Sequence, residues 1–149
     1  MSATSDPTAA FAEVARRFCG LLDQPLKADE LSVAMADLAA AAERLPDVDP
    51  GSDAVEVNDV GANDVTLSGL PFDIYWMMFD PLEMVREEPV AGSLADDLLD
   101  IRRDLLRGLS LMDAGYPLAA CWEWRFHYGA HWGSHLMNAQ VALLTYRFR

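Results

Sequence analysis

Apolar residues recur at intervals of three and four along most of this chain, and that period confines it to helices. Phe11, Val14, Phe18 and Leu21 form the first stripe, behind Asp6-Pro7, an acid placed to cap a helix and a proline suited to its first turn. Gly20 and Pro25 mark its end. Leu31, Met35, Leu38, Ala42 and Leu45 form a second stripe, stopped by Pro46. A short third helix is expected over Phe72 to Phe79, dense in aromatic residues and broken by Asp80-Pro81. A fourth begins at the capping residue Ser93 and carries Leu94, Leu98, Ile101, Leu105, Leu109 and Met112 as far as Gly115. The fifth and longest runs from about Pro117 to near Phe148.

With no βαβ alternation, and a poor β signal apart from a possible short strand near the middle, the expectation is an all-α fold. It is an antiparallel bundle of about five helices in one domain over residues 1–149. Between the second and third helices, residues 47–69 hold six acidic side chains and no lysine or arginine, which reads as a long solvated loop. Asp47, Asp49 and Asp53 have the early spacing of a calcium loop. The sixth and twelfth places, however, hold Ser52 and Asn58, where that loop needs glycine and glutamate.

Formal net charge is -13, from 24 acidic and 11 basic residues. Such a field repels phosphate backbones and anionic lipid, which argues against nucleic-acid and membrane partners and suits a soluble protein or a basic protein partner. No apolar run approaches the ~18 residues of a membrane span. Met1 to Pro7 lacks the pattern of a signal peptide. Cys19 and Cys121, the two cysteines, lie in helical stretches without a second sulfur nearby, as buried thiols of a cytoplasmic protein would.

Two polar constellations could carry chemistry. Asp97, Asp100 and Asp104 share one face of the fourth helix. Pairing of Asp100 with Arg103 and of Asp104 with Arg107 would make that face an ordinary salt-bridged surface. On the fifth helix, Glu123, His127, His131 and His135 recur every four residues, and this ladder holds every histidine of the chain. Neighbouring rungs can share one metal ion, but the ends stand roughly 18 Å apart at the helical rise, so at most two rungs can serve one ion. The remaining ligands would come from the aspartate face. The Glu-x-x-His spacing of di-iron bundles is absent.

Three readings of the ladder stay open: a structural hydrogen-bond network between helices, a stripe that recognises a ligand or partner, and a metal or acid-base site. Gly129 and Gly133 are expected on another face, where they would let a neighbouring backbone approach. Nucleophilic catalysis lacks a motif, since no serine elbow or Gly-rich phosphate loop occurs and Cys121 stands six residues from His127.

The run Ser93-Leu94-Ala95-Asp96-Asp97-Leu98-Leu99-Asp100-Ile101, with Asp104-Leu105 and Gly108-Leu109, resembles DUF5063, a bacterial family of unknown function. So do Trp122 to Phe126, His131-Trp132-Gly133 with His135, Ala139 and Leu143, and Tyr75-Trp76 through Phe79-Asp80-Pro81-Leu82. The likeness covers about the last half of the chain. It implies a small helical protein and no activity, cofactor or substrate. The function expected is therefore that of a protein-binding or scaffold module, which could pair with itself, and the alternative is a metal-dependent or acid-base enzyme built on the two constellations.

Overall fold

The computed structural model describes residues 4–51 and 65–149. The chain opens with α1 (Pro7–Leu22) and α2 (Ala28–Glu43). A hairpin of β1 (Ile74–Met77) and β2 (Val90–Ser93) follows, then α3 (Leu94–Asp113). The last stretch comprises α4 (Pro117–His127), a π-helical turn (Tyr128–Trp132) and α5 (Gly133–Phe148), which succeed one another without a break. Among the described residues the fold is thus mostly helical, four helical rods with a small two-stranded sheet.

Local chemistry accounts for the helix starts. The Asp6 carboxylate accepts from the Thr8 amide at 3.2 Å and Pro7 occupies the first turn. At α3, the Ser93 hydroxyl accepts from the Asp96 amide at 3.2 Å. Gly20 lies inside α1 and does not end it.

The expected third helix is a correction. Ile74-Tyr75-Trp76-Met77 forms a strand, antiparallel to β2 with Tyr75 opposite Gly92 and Trp76 opposite Ala91. Eight residues between proline-bearing breaks are too few for a stable isolated helix, whereas aromatic and β-branched side chains suit a pleated surface. One helix therefore leaves the expected five, and the bundle is not purely α. In the acidic segment, residues 47–50 and 65–69 are irregular. The possible strand and most of the loop's acidic side chains lie outside the described residues.

One core joins the rods. Phe11, Phe18, Leu31, Met35, Leu38, Leu98, Ile101, Leu105, Leu136 and Leu143 are all buried in it. Phe11 packs against Trp124 and Trp132 with ring centroids 4.7 and 6.0 Å apart. The Trp124 indole lies against Gly108 and donates to the Leu105 carbonyl at 3.1 Å; a Cβ on Gly108 would stand 1.9 Å from Nε1. A larger residue at 108 would push α4 away from α3, the helix that carries the three aspartates of the candidate site.

The glycines of the last helix serve a different purpose from the one expected. A Cβ on Gly129 would meet nothing within 4 Å. At Gly133 it would lie 2.1 Å from the Tyr128 carbonyl, to which the Gly133 amide donates across the widened turn. Gly133 makes room for a π turn of its own helix and not for a neighbouring backbone.

Candidate metal centre

The π turn divides the histidine ladder. It holds one residue more than an α turn, so the helical phase shifts between His127 and the later rungs. His127 pairs within its own helix, Nε2 lying 3.1 Å from Oε2 of Glu123. His131 and His135 reach across to α3 instead. His131 Nδ1 is 2.6 Å from Oδ2 of Asp104, and His135 Nδ1 is 2.7 Å from Oδ1 of Asp97. Of the seven residues singled out from sequence, five therefore meet, Asp97, Asp100, Asp104, His131 and His135, while Glu123 and His127 form a separate pair.

The two carboxylates are almost closed to solvent, Asp97 at 4% and Asp104 at 5% exposure. A buried carboxylate requires compensation, and each finds it in an imidazole N–H. These bonds set the tautomer of the neutral rings: with Nδ1 donating, Nε2 is the nitrogen that carries the lone pair, and it faces away from the buried acid. The rings stand edge to face with centroids 4.9 Å apart.

Asp100 completes the group, its Oδ2 lying 3.5 Å from His135 Nε2 and its Oδ1 accepting from Arg103 at 3.2 Å. The expected Asp100–Arg103 pair is present, and it leaves the second carboxylate oxygen turned toward the histidines. One ligand atom each from Asp100, His131 and His135 lies within 4.8 Å of the other two. In a tetrahedral site with bonds of about 2.0–2.1 Å, neighbouring ligand atoms stand roughly 3.4 Å apart. The Asp100–His135 pair, at 3.5 Å, already has that separation, and the 4.8 Å limit on the group leaves the third ligand at most about 1.4 Å to close.

Tyr75 is the site residue that the sequence reading missed. Its hydroxyl donates to Oδ2 of Asp97, so Asp97 is held from both sides, by Tyr75 and by His135. Burial first, then the hydrogen bond to Asp97 and last the Asp97 charge raise the phenol above its ordinary pKa. Asp97 raises the His135 imidazole pKa, outweighing the opposing effect of burial, and Asp100 and Asp104 add to the rise.

The hairpin that presents Tyr75 is fastened by Asp73. Its carboxylate accepts from the Ser93 hydroxyl at 2.7 Å and the Ala95 amide at 3.1 Å, and its backbone carbonyl accepts from Leu94 at 3.0 Å. A strand reading of residues 74–77 would have placed the alternate residue Tyr75 on the opposite face from Ile74 and Trp76.

Fold and site together define a helical domain that carries two carboxylate–histidine pairs between its third and last rods. The chain belongs to the family described as a domain of unknown function, DUF5063, which matches residues 2–149. No curated protein matches the sequence. Among solved structures, protein BF1032 from Bacteroides fragilis, a structural-genomics target, superposes with a TM-score of 0.70 at 18% identity. The alignment covers 93% of this chain and 90% of that one, and the likeness is one of fold. No helix among the described residues is long and apolar enough to cross a membrane.

Proposed function

We propose that the protein binds a divalent transition metal through His131, His135 and Asp100, with Asp97 and Asp104 fixing the two imidazoles from behind. The observation that carries this reading is the coincidence of two arrangements. Both histidines give Nδ1 to a buried carboxylate, and one ligand atom from each of them and from Asp100 falls within a 4.8 Å group. Metal-bound histidines ordinarily have such a carboxylate or carbonyl behind them, which orients the ring and raises its basicity. Two imidazoles and one carboxylate suit zinc or ferrous iron and leave coordination positions for water or substrate. That is the donor set of a metal-dependent enzyme, the alternative left open by the sequence.

Metal analysis of tag-free protein by mass spectrometry tests the reading. Near-stoichiometric zinc, iron, manganese or nickel is expected, absent from a His131→Ala, His135→Ala double variant. Protein that stays metal-free after incubation with each ion would leave the pairs as a structural network.

A protein-binding or scaffold role draws on a different observation. The arm between β1 and β2 exposes Leu82 at 85%, Met84 at 94% and Val85 at 73%, and contiguous apolar surface of this kind marks interaction sites. Sedimentation of the wild type beside a Leu82→Asp, Met84→Asp variant separates self-association through this arm from a monomer. A cytoplasmic setting fits the free, buried thiols of Cys19 and Cys121.

A further inference from the structure

Side chains alternate along β1, with Ile74 and Trp76 exposed at 66% and 73% and Tyr75 between them turned onto α3. The Tyr75 hydroxyl reaches Oδ2 of Asp97, the carboxylate whose Oδ1 meets His135. Three side chains, on β1, α3 and α5, thus join the hairpin to one imidazole of the centre.

Gly92 makes room for that reach. It stands opposite Tyr75 in β2, and its φ is not positive, so the backbone does not call for glycine there. The space does. A Cβ on Gly92 would lie 2.7 Å from Cζ of Tyr75, 2.9 Å from Cε2 and 3.0 Å from the hydroxyl oxygen. These atoms form the end of the ring that meets Asp97, so a methyl group at position 92 displaces the hydroxyl itself. Phe72 meets the Tyr75 ring edge-on, with centroids 6.3 Å apart, and packs in turn on Tyr146 of α5 at 5.5 Å.

What the hydroxyl supplies is position. Asp97 is 4% exposed, and a buried carboxylate that loses a donor turns toward whatever donor remains. Turning carries Oδ1 away from the His135 Nδ1–H. A metal ion on Nε2 draws electron density from the ring and makes that N–H a stronger donor, so the misplacement costs more with the ion bound than without it. Such coupling is reciprocal: the factor by which the docked hydroxyl raises metal affinity is the factor by which the ion favours docking of the hairpin. We infer that Tyr75, seated over Gly92, is a positioning residue of the metal centre, and that metal occupancy and hairpin docking are coupled through Asp97. The inference rests on the metal-centre reading and adds to it how the site is regulated.

The test pairs zinc titration with amide exchange on the full chain, in the wild type, Tyr75→Phe, Gly92→Ala and Trp76→Thr. Tyr75→Phe should weaken zinc binding by at least about fivefold. Gly92→Ala, which alters no residue of the centre, should do the same. Trp76→Thr, on the opposite face of the strand, should leave zinc affinity at the wild-type value. In the wild type, saturating zinc should slow exchange of the β1 and β2 amides by about the factor lost in Tyr75→Phe, over and above its effect on α1. In Tyr75→Phe that extra protection should vanish.

Wild-type zinc affinity in Tyr75→Phe or in Gly92→Ala would overturn the proposal, as would an equal loss in Trp76→Thr. Hairpin exchange that is indifferent to a bound ion would overturn it too, and would leave the metal centre standing. A wild type that takes up no zinc would remove the metal-centre reading and the coupling with it, so the two failures are told apart in one titration.

Discussion

Nδ1 of His135 stands 2.7 Å from Oδ1 of Asp97, on a carboxylate that is 4% exposed and whose other oxygen accepts from the Tyr75 hydroxyl. Asp97 thereby fixes both the tautomer and the angle of a ring whose other nitrogen faces Asp100. Asp97→Asn keeps the shape but removes the charge and offers the ring a weaker acceptor. Metal affinity is expected to fall by about 10–100-fold, read by zinc titration, with the circular dichroism spectrum retained.

The same bond gives a pH dependence in the metal-free protein. Asp97, through a hydrogen bond and its charge, raises the His135 pKa above its ordinary value near ~6.5. A group bound more tightly to its proton when folded stabilises the fold fully below the unfolded pKa and loses that contribution as pH rises through the folded one. Unfolding free energy from urea titrations should therefore decline from about pH 6 upward, over the range in which His135 titrates by NMR. In His135→Gln the decline should be reduced. A curve that is the same in both proteins would show that the pair contributes nothing to stability.

At Gly108, a Cβ would lie 1.9 Å from the Trp124 indole nitrogen, which donates to the Leu105 carbonyl at 3.1 Å. Gly108→Ala gains helix propensity worth under about 1 kcal/mol but overpacks the contact of α3 with α4, and the second effect is the larger. A net loss of about 1–3 kcal/mol is expected, visible in thermal unfolding.

Asp73→Ala removes the acceptor for the Ser93 hydroxyl and the Ala95 amide. The loss expected is about 1 kcal/mol, the typical value of a helix cap. Because Asp73 also anchors the hairpin, amide exchange in β1 and β2 should speed up more than in α1. Ser93→Ala shares this network, so the double variant should cost less than the sum of the two single changes.

The helical periods made α1, α2, α3 and the long last stretch legible, because buried leucines and phenylalanines at spacings of three and four have one economical arrangement. The aspartate face on α3 and the later histidines were legible for the same reason, since positions 97, 100 and 104 and positions 131 and 135 each fall on one helical face. The hairpin was hidden because the aromatic run over 72–79 is too short for periodicity to distinguish helix from strand. Tyr75 was lost with it, since its partner Asp97 lies 22 residues away. The π turn was hidden too: a four-residue ladder says nothing of the bond from the Gly133 amide to the Tyr128 carbonyl that shifts its phase. That bond explains why His127 remains with Glu123 while the next two rungs meet α3.

Calorimetric titration of metal-free protein with zinc, repeated on His127→Ala and on the His131→Ala, His135→Ala double variant, tests the metal centre most directly. The account expects one ion bound per chain in the wild type and in His127→Ala, and none in the double variant. A wild type that binds no zinc, or a double variant that binds it as well as the wild type does, would contradict it.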